Sequence, residues 1–526
     1  MTAFQLPDSL SRDDSMSADY VSFGSQRHSA GSFVIVECAS TQRSFLGQVI
    51  SPQLNLNRDG FSPGDVSTLN ALEGLGAGRY SRNVVVNEAS LYNVLLLNEV
   101  TGNTAQSVRS RPLIGAVMRA ATSEECVRYL NLPVADEAFR LGTLIDSDIP
   151  LCFSRYILAH HLLLAGSTGT GKSHDMSNLF HAILAMGNCV ILFDHKPDYQ
   201  DLDRPNESAV GYANGVRDAV FYAIGEGAGT RAGIRADEHT ITVAASELDP
   251  ELLARTLLYR KNEELQAELT QSLLEYFAAD QIDKRVRSWS LQQFVAALPP
   301  GLATWGIQGD TKTYNALRGK IARSNRRPAW VDASTAIPRS SLSRAGGTAA
   351  PNAFTIANIL RPGRLIVIRI PSRYGGGRHY ALFLDYLMRE IYRIREETPT
   401  ESPRITLMID EAQDIFGAGK DFANVAGAML DEKIRKGRSL GISFILAVQS
   451  TDSVDEAILN NFNSQIIGRH NNFMQAQKAM PRAAREQLKM TESFRAGERL
   501  VNFFGANAVV HARMRLSPSQ LTVSPE

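Results

Sequence analysis

The stretch Gly166-Ser167-Thr168-Gly169-Thr170-Gly171-Lys172-Ser173 decides how this chain is read. It follows the apolar run Leu162-Leu163-Leu164-Ala165 and precedes residues 175–186, whose pattern predicts a helix. Buried strand, glycine loop and helix form the context in which G-x-x-x-x-G-K-[ST] means a phosphate-binding loop. Gly166, Gly169 and Gly171, with Thr168 and Thr170 between them, let the backbone wrap so that several N–H groups face an anion. The helix N-terminus adds partial positive charge. Lys172 is then placed to reach the β- and γ-phosphates of ATP, and the Ser173 hydroxyl to meet Mg²⁺. The competing reading is a glycine turn that only starts a helix.

Downstream, Cys189-Val190-Ile191-Leu192-Phe193 is a second continuous apolar run, closed by Asp194. Strand, helix, strand at this spacing predicts a βαβ unit with a buried parallel sheet. Residues 365–370, 405–409 and 442–448 read as further core strands, with helices over about 380–395 and 422–436. The strand at 405–409 runs into Asp410-Glu411-Ala412-Gln413, which puts two carboxylates at the sheet edge that carries the phosphate loop. Asp410 suits a Mg²⁺ shell, and Glu411 can orient and deprotonate an attacking water. The alternative is a strand-terminal acidic turn. Gln449, after the strand at 442–448, either senses the γ-phosphate or the lytic water, or simply caps the strand. Arg435 and Arg438 either cap a helix C-terminus or act as an arginine finger on a neighbouring subunit's nucleotide.

A chain of 526 residues is expected to form two or three domains. Its 55 basic and 55 acidic residues exclude a chain-wide polyanion-binding tail, though a ring can still concentrate a few cations in a pore. Four widely spaced cysteines lack zinc or C-x-x-C spacing and read as reduced core residues of a cytoplasmic protein. The Ser-rich N-terminus has no signal-peptide pattern. No apolar run approaches the roughly 18 residues of a membrane span, so no membrane insertion is expected.

The expected organisation is a flexible lead over 1–27, a small N-terminal β-barrel over 28–140, an ATPase core over 141–247 and 359–515, a helical insertion over 248–358, and a polar tail over 516–526. The β-rich runs of the first domain are 33–36, 45–50, 84–86, 94–97 and 113–118. Within the insertion, residues 310–344 carry eight basic side chains (Lys312, Arg318, Lys320, Arg323, Arg326, Arg327, Arg339, Arg344) against two acidic ones. They read as a solvated face or as a phosphate-contacting surface. The loop 371–378, with Arg373, Arg378 and three glycines, is a second candidate grip for a polyanion.

Together, Gly166 to Ser173, Asp194 to Tyr199, Asp410 to Gln413 and Arg435 through Gln449 resemble the HerA family, in the HerA/FtsK branch of RecA-like motor ATPases. The resemblance implies an α/β fold: a RecA-like P-loop ATPase core with an N-terminal small β-barrel and an inserted helical bundle. It implies a homo-hexamer that hydrolyses ATP with Mg²⁺ and moves along double-stranded DNA. The partner would be an effector such as a NurA-like nuclease or a sirtuin-like NADase, in DNA-end processing or antiviral defence. By position, Lys172 and Ser173 would hold phosphate and Mg²⁺, Asp410 would complete the metal site, and Glu411 would be the base. Gln449 would be the sensor, and Arg438 or Arg435 the finger in trans. One stretch departs from the family: Asp-Pro-His-Gly-Glu-Tyr is replaced by Asp194-His195-Lys196-Pro197-Asp198-Tyr199. A ring-forming scaffold that licenses an effector without translocation is the alternative. A motor pumping DNA across a membrane is a third reading, and the absence of Leu-Ser-Gly-Gly-Gln argues against ABC and SMC ATPases.

Overall fold

A computed structural model describes residues 3–5, 17–23, 28–38, 42–53, 89–110, 112, 116–133, 139–209, 214–224, 237–241, 243–258, 264–286, 288–322, 331, 359–369, 377–398, 403–416 and 423–522. The chain divides into two units, residues 1–157 with 466–515, and residues 158–465 with 516–526.

The first unit opens with β1 (Ala3–Gln5), β2 (Ser17–Phe23), β3 (Phe33–Cys38), β4 (Arg43–Gln53), β5 (Ala89–Thr101), β6 (Thr104–Ser107) and β7 (Val117–Ala120). They form one antiparallel sheet in the order β2-β1-β7-β3-β4-β5-β6, and β2 pairs again with β5. Alternate residues point one way along a strand, which is why Val34, Val36 and Cys38 share a core with Phe45, Val49, Tyr92, Val94 and Leu96. Gly47 belongs to that inward row, and a Cβ there would lie 2.5 Å from Val94 Cγ1. Residues 84–86 and 113–115 lie outside the described residues; the strand expected at 113–118 is described from Val117. Farther on, β8 (Phe139–Leu144) and β9 (Pro150–Phe153) form an antiparallel pair.

The second unit holds β10 (Leu162–Ala165), β11 (Cys189–Asp194), β12 (Ala219–Ile224), β13 (His239–Ile241), β14 (Leu365–Arg369), β15 (Ile405–Ile409) and β16 (Ile442–Val448). All are parallel, in the order β13-β12-β14-β11-β15-β16-β10. Every residue of β10, β11, β15 and β16 is buried, as strands covered on both faces must be. Five of these strands lie where the sequence predicts them. β12 is not among the expected strands although Val220 to Ile224 is an apolar and aromatic run, and β13 is too short to leave a periodic signal. The helix Lys172–Ala185 covers the sheet with Met176, Leu179, Phe180 and Ile183, and the helix Gly377–Glu397 with Tyr380, Phe383, Leu384, Leu387, Met388 and Ile391. Both sets keep the three- and four-residue steps of a helix stripe.

Between β13 and β14 the described residues are mainly helical: Pro250–Leu257, Glu264–Asp283, Leu291–Ala297 and Thr311–Ala322. Phe277 meets Trp289 and Phe294 edge-on, with centroids 5.1 and 5.6 Å away. Lys312, Arg318 and Lys320 are exposed on the last of these helices. Arg323, Arg326, Arg327, Arg339, Arg344 and Arg373 lie outside the described residues, as does the side chain of Arg378.

Two expectations about the C-terminal part are corrected. Residues 466–515, assigned above to the core, cluster with the first unit. β17 (Ser464–Ile467) lies at the division, after which β18 (Glu498–Asn502) pairs with β19 (Val510–Met514), and β19 pairs with β8. The buried Gln487 amide also donates to Gln48 Oε1 at 3.1 Å. The second correction is the polar tail: Ser517 and Ser519 are fully buried. Their hydroxyls donate to Ser519 O and to Leu202 O (2.5 and 2.7 Å), while Pro518 O accepts from the N–H groups of Asn206 and Asn214. An irregular loop needs partners for its backbone groups, and residues 516–522 supply them. All four cysteines are buried and form no disulfide. Among the described residues no helix is long and apolar enough to cross a membrane.

The neutral ring of His161 joins two elements of the second unit. Its Nδ1 accepts from Phe444 N–H at 3.2 Å, which leaves Nε2 to donate to Ile434 O at 3.1 Å. Burial lowers its pKa from 6.5 to about 4, and burial does the same to His181. The folded chain therefore binds fewer protons than the unfolded chain between these values, so the stabilisation is complete above pH 6.5 and is lost as pH falls towards 4. Thermal melts should show Tm falling over that interval. His161→Leu, which leaves two buried backbone groups without partners, should cost about 1–3 kcal/mol per group at pH 7.5 and flatten the acid dependence.

Candidate functional site

The site is assembled where parallel strands end. β16 lies between β10 and β15, so with strands about 4.8 Å apart the phosphate loop and the acidic strand end face each other across roughly 10 Å. The loop follows β10 directly. Gly169 and Gly171 have φ of 73° and 94°, the left-handed region in which a Cβ is strained, and Gly171 caps the helix that begins at Lys172. Thr170 Oγ1 donates to Ser167 O at 2.8 Å. Lys172 Nζ donates to Gly166 O at 2.7 Å and Ser167 O at 3.2 Å, so the ammonium rests on loop carbonyls where a phosphate would replace them.

Asp410 and Glu411 leave β15 in different directions because Glu411 is itself left-handed, with φ 50°. Asp410 Oδ1 accepts from Glu411 N–H at 2.9 Å, and Asp410 Oδ2 accepts from Tyr199 OH at 3.1 Å. Burial first, and then the neighbouring Glu411, push the Asp410 carboxyl up to about 6. Burial also works upward on Glu411, but hydrogen bonds from Lys196, Gln413 and Gln449 outweigh it and hold that carboxyl below its usual range. Gln449 joins the two halves: its Nε2 donates to Glu411, while its Oε1 accepts from Thr168 Oγ1 at 3.1 Å. The hydrogen bonds thus link Thr168 of the loop through Gln449 to Glu411, while Lys172 and Ser173 lie at the start of the helix that follows the same loop.

The loop after β11, Asp194 to Tyr199, both carries part of the resemblance and departs from the family pattern, and it contacts Ser173, Asp410, Glu411 and Asp414. His195 Nε2 is 3.1 Å from Asp414 Oδ2 and its ring stacks on Tyr380. Lys196 Nζ donates to Glu411 Oε1 at 2.5 Å. Asp198 Oδ2 accepts from Ser173 Oγ at 3.2 Å, and Gln200 Nε2 donates to Asp194 Oδ2 at 3.1 Å. Burial raises both Asp194 and Asp198 above the usual carboxylate range. The signal for these partners was present in Asp194-His195-Lys196-Pro197-Asp198-Tyr199, but pairing each with its target needs the fold.

The arginines part company. Arg435 Nη2 pairs with Asp431 one turn back on its own helix. Arg438 is exposed and among the described residues has no ion-pair partner. It precedes β16, whose seven residues at about 3.3 Å each place it roughly 20 Å from the Gln449 end. At that distance Arg438 does not reach its own chain's site.

The donor set fits Mg²⁺. No three carboxylates, thiols or imidazoles converge on one position among the described residues, and Mg²⁺ needs only one or two protein oxygens beside substrate phosphates. The Ser173 hydroxyl and the buried Asp410 carboxylate are of that kind, and a cation would relieve the burial that raises Asp410.

The C-terminal segment clamps this arrangement. Ser517 N–H donates to His174 Nδ1 at 3.2 Å, Ser517 and Ser177 hydroxyls are 2.6 Å apart, and Thr522 N–H donates to Asp198 O at 2.9 Å. A chain ending at residue 515 should show faster amide exchange over 198–209 and weaker nucleotide binding; unchanged exchange there would contradict the clamp.

Residues 139–342 match the family model described as helicase HerA, central domain. Proteins described as DNA double-strand break repair helicase HerA, from Sulfolobus acidocaldarius and Saccharolobus solfataricus, are each 30% identical over 95 residues. That aligned segment is 18% of this chain and spans only 18% of the length of each relative. Two solved structures are similar at low identity. The bacterial conjugative coupling protein TrwBdeltaN70 has 15% identity and TM-score 0.49, over 75% of this chain and 93% of that one. VirB4 of Thermoanaerobacter pseudethanolicus has 14% identity and TM-score 0.48, over 74% and 98%. Neither likeness adds to the fold, which the strand order already defines. Residues 139–342 are thus similar to the HerA central domain, and the parallel sheet they begin places a P-loop and an acidic strand end at one edge, the arrangement of a P-loop ATPase core.

Proposed function

We propose that this chain hydrolyses ATP with Mg²⁺ and uses the energy to move along double-stranded DNA as a homo-hexameric ring. The observation that carries the reading is the Gln449 bridge from Thr168 of the phosphate loop to Glu411, which links nucleotide site and base within one chain. Lys172 and the loop N–H groups would bind the β- and γ-phosphates. Mg²⁺, held by Ser173 and Asp410, would neutralise phosphate charge. Glu411 takes a proton from the attacking water as the water oxygen bonds to the γ-phosphorus and the bond to the ADP oxygen breaks. Arg438 supplies positive charge to the neighbouring subunit's γ-phosphate. That it has no ion-pair partner among the described residues, and lies at the far sheet edge, supports it over Arg435.

The ring would work for an effector, a NurA-like nuclease or a sirtuin-like NADase, in DNA-end processing or antiviral defence. The N-terminal antiparallel sheet reads as the small barrel of this family and as the effector's dock, and the helices described between Pro250 and Ala322 as part of the inserted bundle. The exposed Lys312, Arg318 and Lys320 suit phosphate contact.

The test is ATP turnover by the full chain with and without long double-stranded DNA. Several-fold stimulation by DNA is expected, with Lys172→Ala and Glu411→Gln each at least 100-fold slower. Turnover indifferent to DNA but changed by a co-purifying partner would replace translocation with a ring-forming scaffold. Arg438→Ala should lose turnover, and mixing it with excess Lys172→Ala should restore part of it. No recovery in the mixture would remove the trans assignment.

A further inference from the structure

Among the described residues, the donors to Asp194, Asp198 and Asp410 are amide, hydroxyl or phenol groups. Glu411 accepts from the Gln413 and Gln449 side-chain amides and from the Lys196 ammonium. Lys196 is the only charged group that contacts it among the described residues. We propose that Lys196 is a positioning residue for hydrolysis, acting through Glu411, an inference that rests on the hydrolase reading above.

Three observations carry the proposal. The first concerns the base itself, which sits on a left-handed backbone at the end of β15, next to the Asp410 carboxylate. Repulsion from that carboxylate would turn the Glu411 side chain away unless a cation opposed it. The second is the anchoring of Lys196. His195 is packed on Tyr380 and bonded to Asp414. Asp198 is tied to Ser173 and, through its carbonyl, to Thr522, while Gln200 N–H donates to Thr522 Oγ1 at 3.1 Å. With both flanks fixed, the ammonium is aimed by a rigid loop, as a preorganised site requires. Third, the Lys196 side chain remains 47% exposed while that of Glu411 is 7% exposed. An ion pair half open to water adds little to stability, so fold stability is a poor reason for a cation here and orientation of the base a good one. The geometry also divides the labour: Glu411 Oε1 is shared by Lys196 and Gln449, and Oε2 is bonded to Gln413, so the carboxylate plane is set from both oxygens.

The experiment compares Lys196→Met and Lys196→Arg with the unmodified chain in melting temperature, binding of a fluorescent ATP analogue, and the kcat and KM of ATP hydrolysis. Lys196→Met should melt within about 2 °C of the parent and bind the analogue within about twofold. Its kcat should fall at least tenfold with KM little changed, and Lys196→Arg, which keeps the charge, should recover a substantial part. Parent-like or raised kcat in Lys196→Met would overturn the proposal, as would parallel loss of binding and melting temperature, the mark of a merely structural prop. Lys172→Ala and Glu411→Gln run alongside separate the two levels. If these remain active, the hydrolase reading itself fails; if they are dead while Lys196→Met is not, only the positioning role is lost.

Discussion

The arrangement depends on the parallel register of β10, β16, β15 and β11. Leu162 pairs with Ile445, Ile405 with Ile442, and Cys189 with Ile405. Because the runs are apolar on both faces and lie in register, their polar successors emerge together at one edge: the phosphate loop, Gln449, Asp410 with Glu411, and the loop from Asp194. A sheet buried on both sides places its charged groups at the strand ends. The edge therefore gathers every carboxylate and lysine of the site, and its chemistry follows from the concentration of unlike groups in a partly dry place.

That concentration explains the second layer of contacts. Asp194, Asp198, Asp410 and Glu411 cannot all be ionised close together without compensation. Burial raises Asp194, Asp198 and Asp410, whereas Glu411 is kept low by an ammonium and two amides. The two groups with different tasks are thus separated by environment, one suited to receiving a cation and one to receiving a proton. The segment 516–522 belongs to the same logic. Its hydroxyls and N–H groups satisfy the irregular loop that holds Lys196 and Asp198, and tie it to the helix that begins at Lys172.

Much of the core was legible from residue order. The phosphate loop declares itself because glycines, lysine and serine at fixed spacing serve one physical need, and five buried strands show as unbroken apolar runs. β12 was legible in principle, since residues 220–224 are apolar or aromatic, but it lacks a helix before it to mark a βαβ unit. The fate of residues 466–515 was not legible. A strand such as Val510–Met514 carries the same local pattern whichever unit it joins, and its antiparallel register with β8 is a long-range choice.

By itself, the sequence determined a nucleotide-binding α/β core and named Lys172, Ser173, Asp410, Glu411 and Gln449, because local spacing around strand ends encodes them. Only the tertiary structure decided that Lys196 meets Glu411, that Asp198 meets Ser173, that Arg435 pairs with Asp431, and that Ser517 and Ser519 are interior. The reason is range. A hydrogen bond between residues 196 and 411 leaves no periodic trace in either stretch. It exists only because β11 and β15 are hydrogen-bonded neighbours whose ends lie side by side.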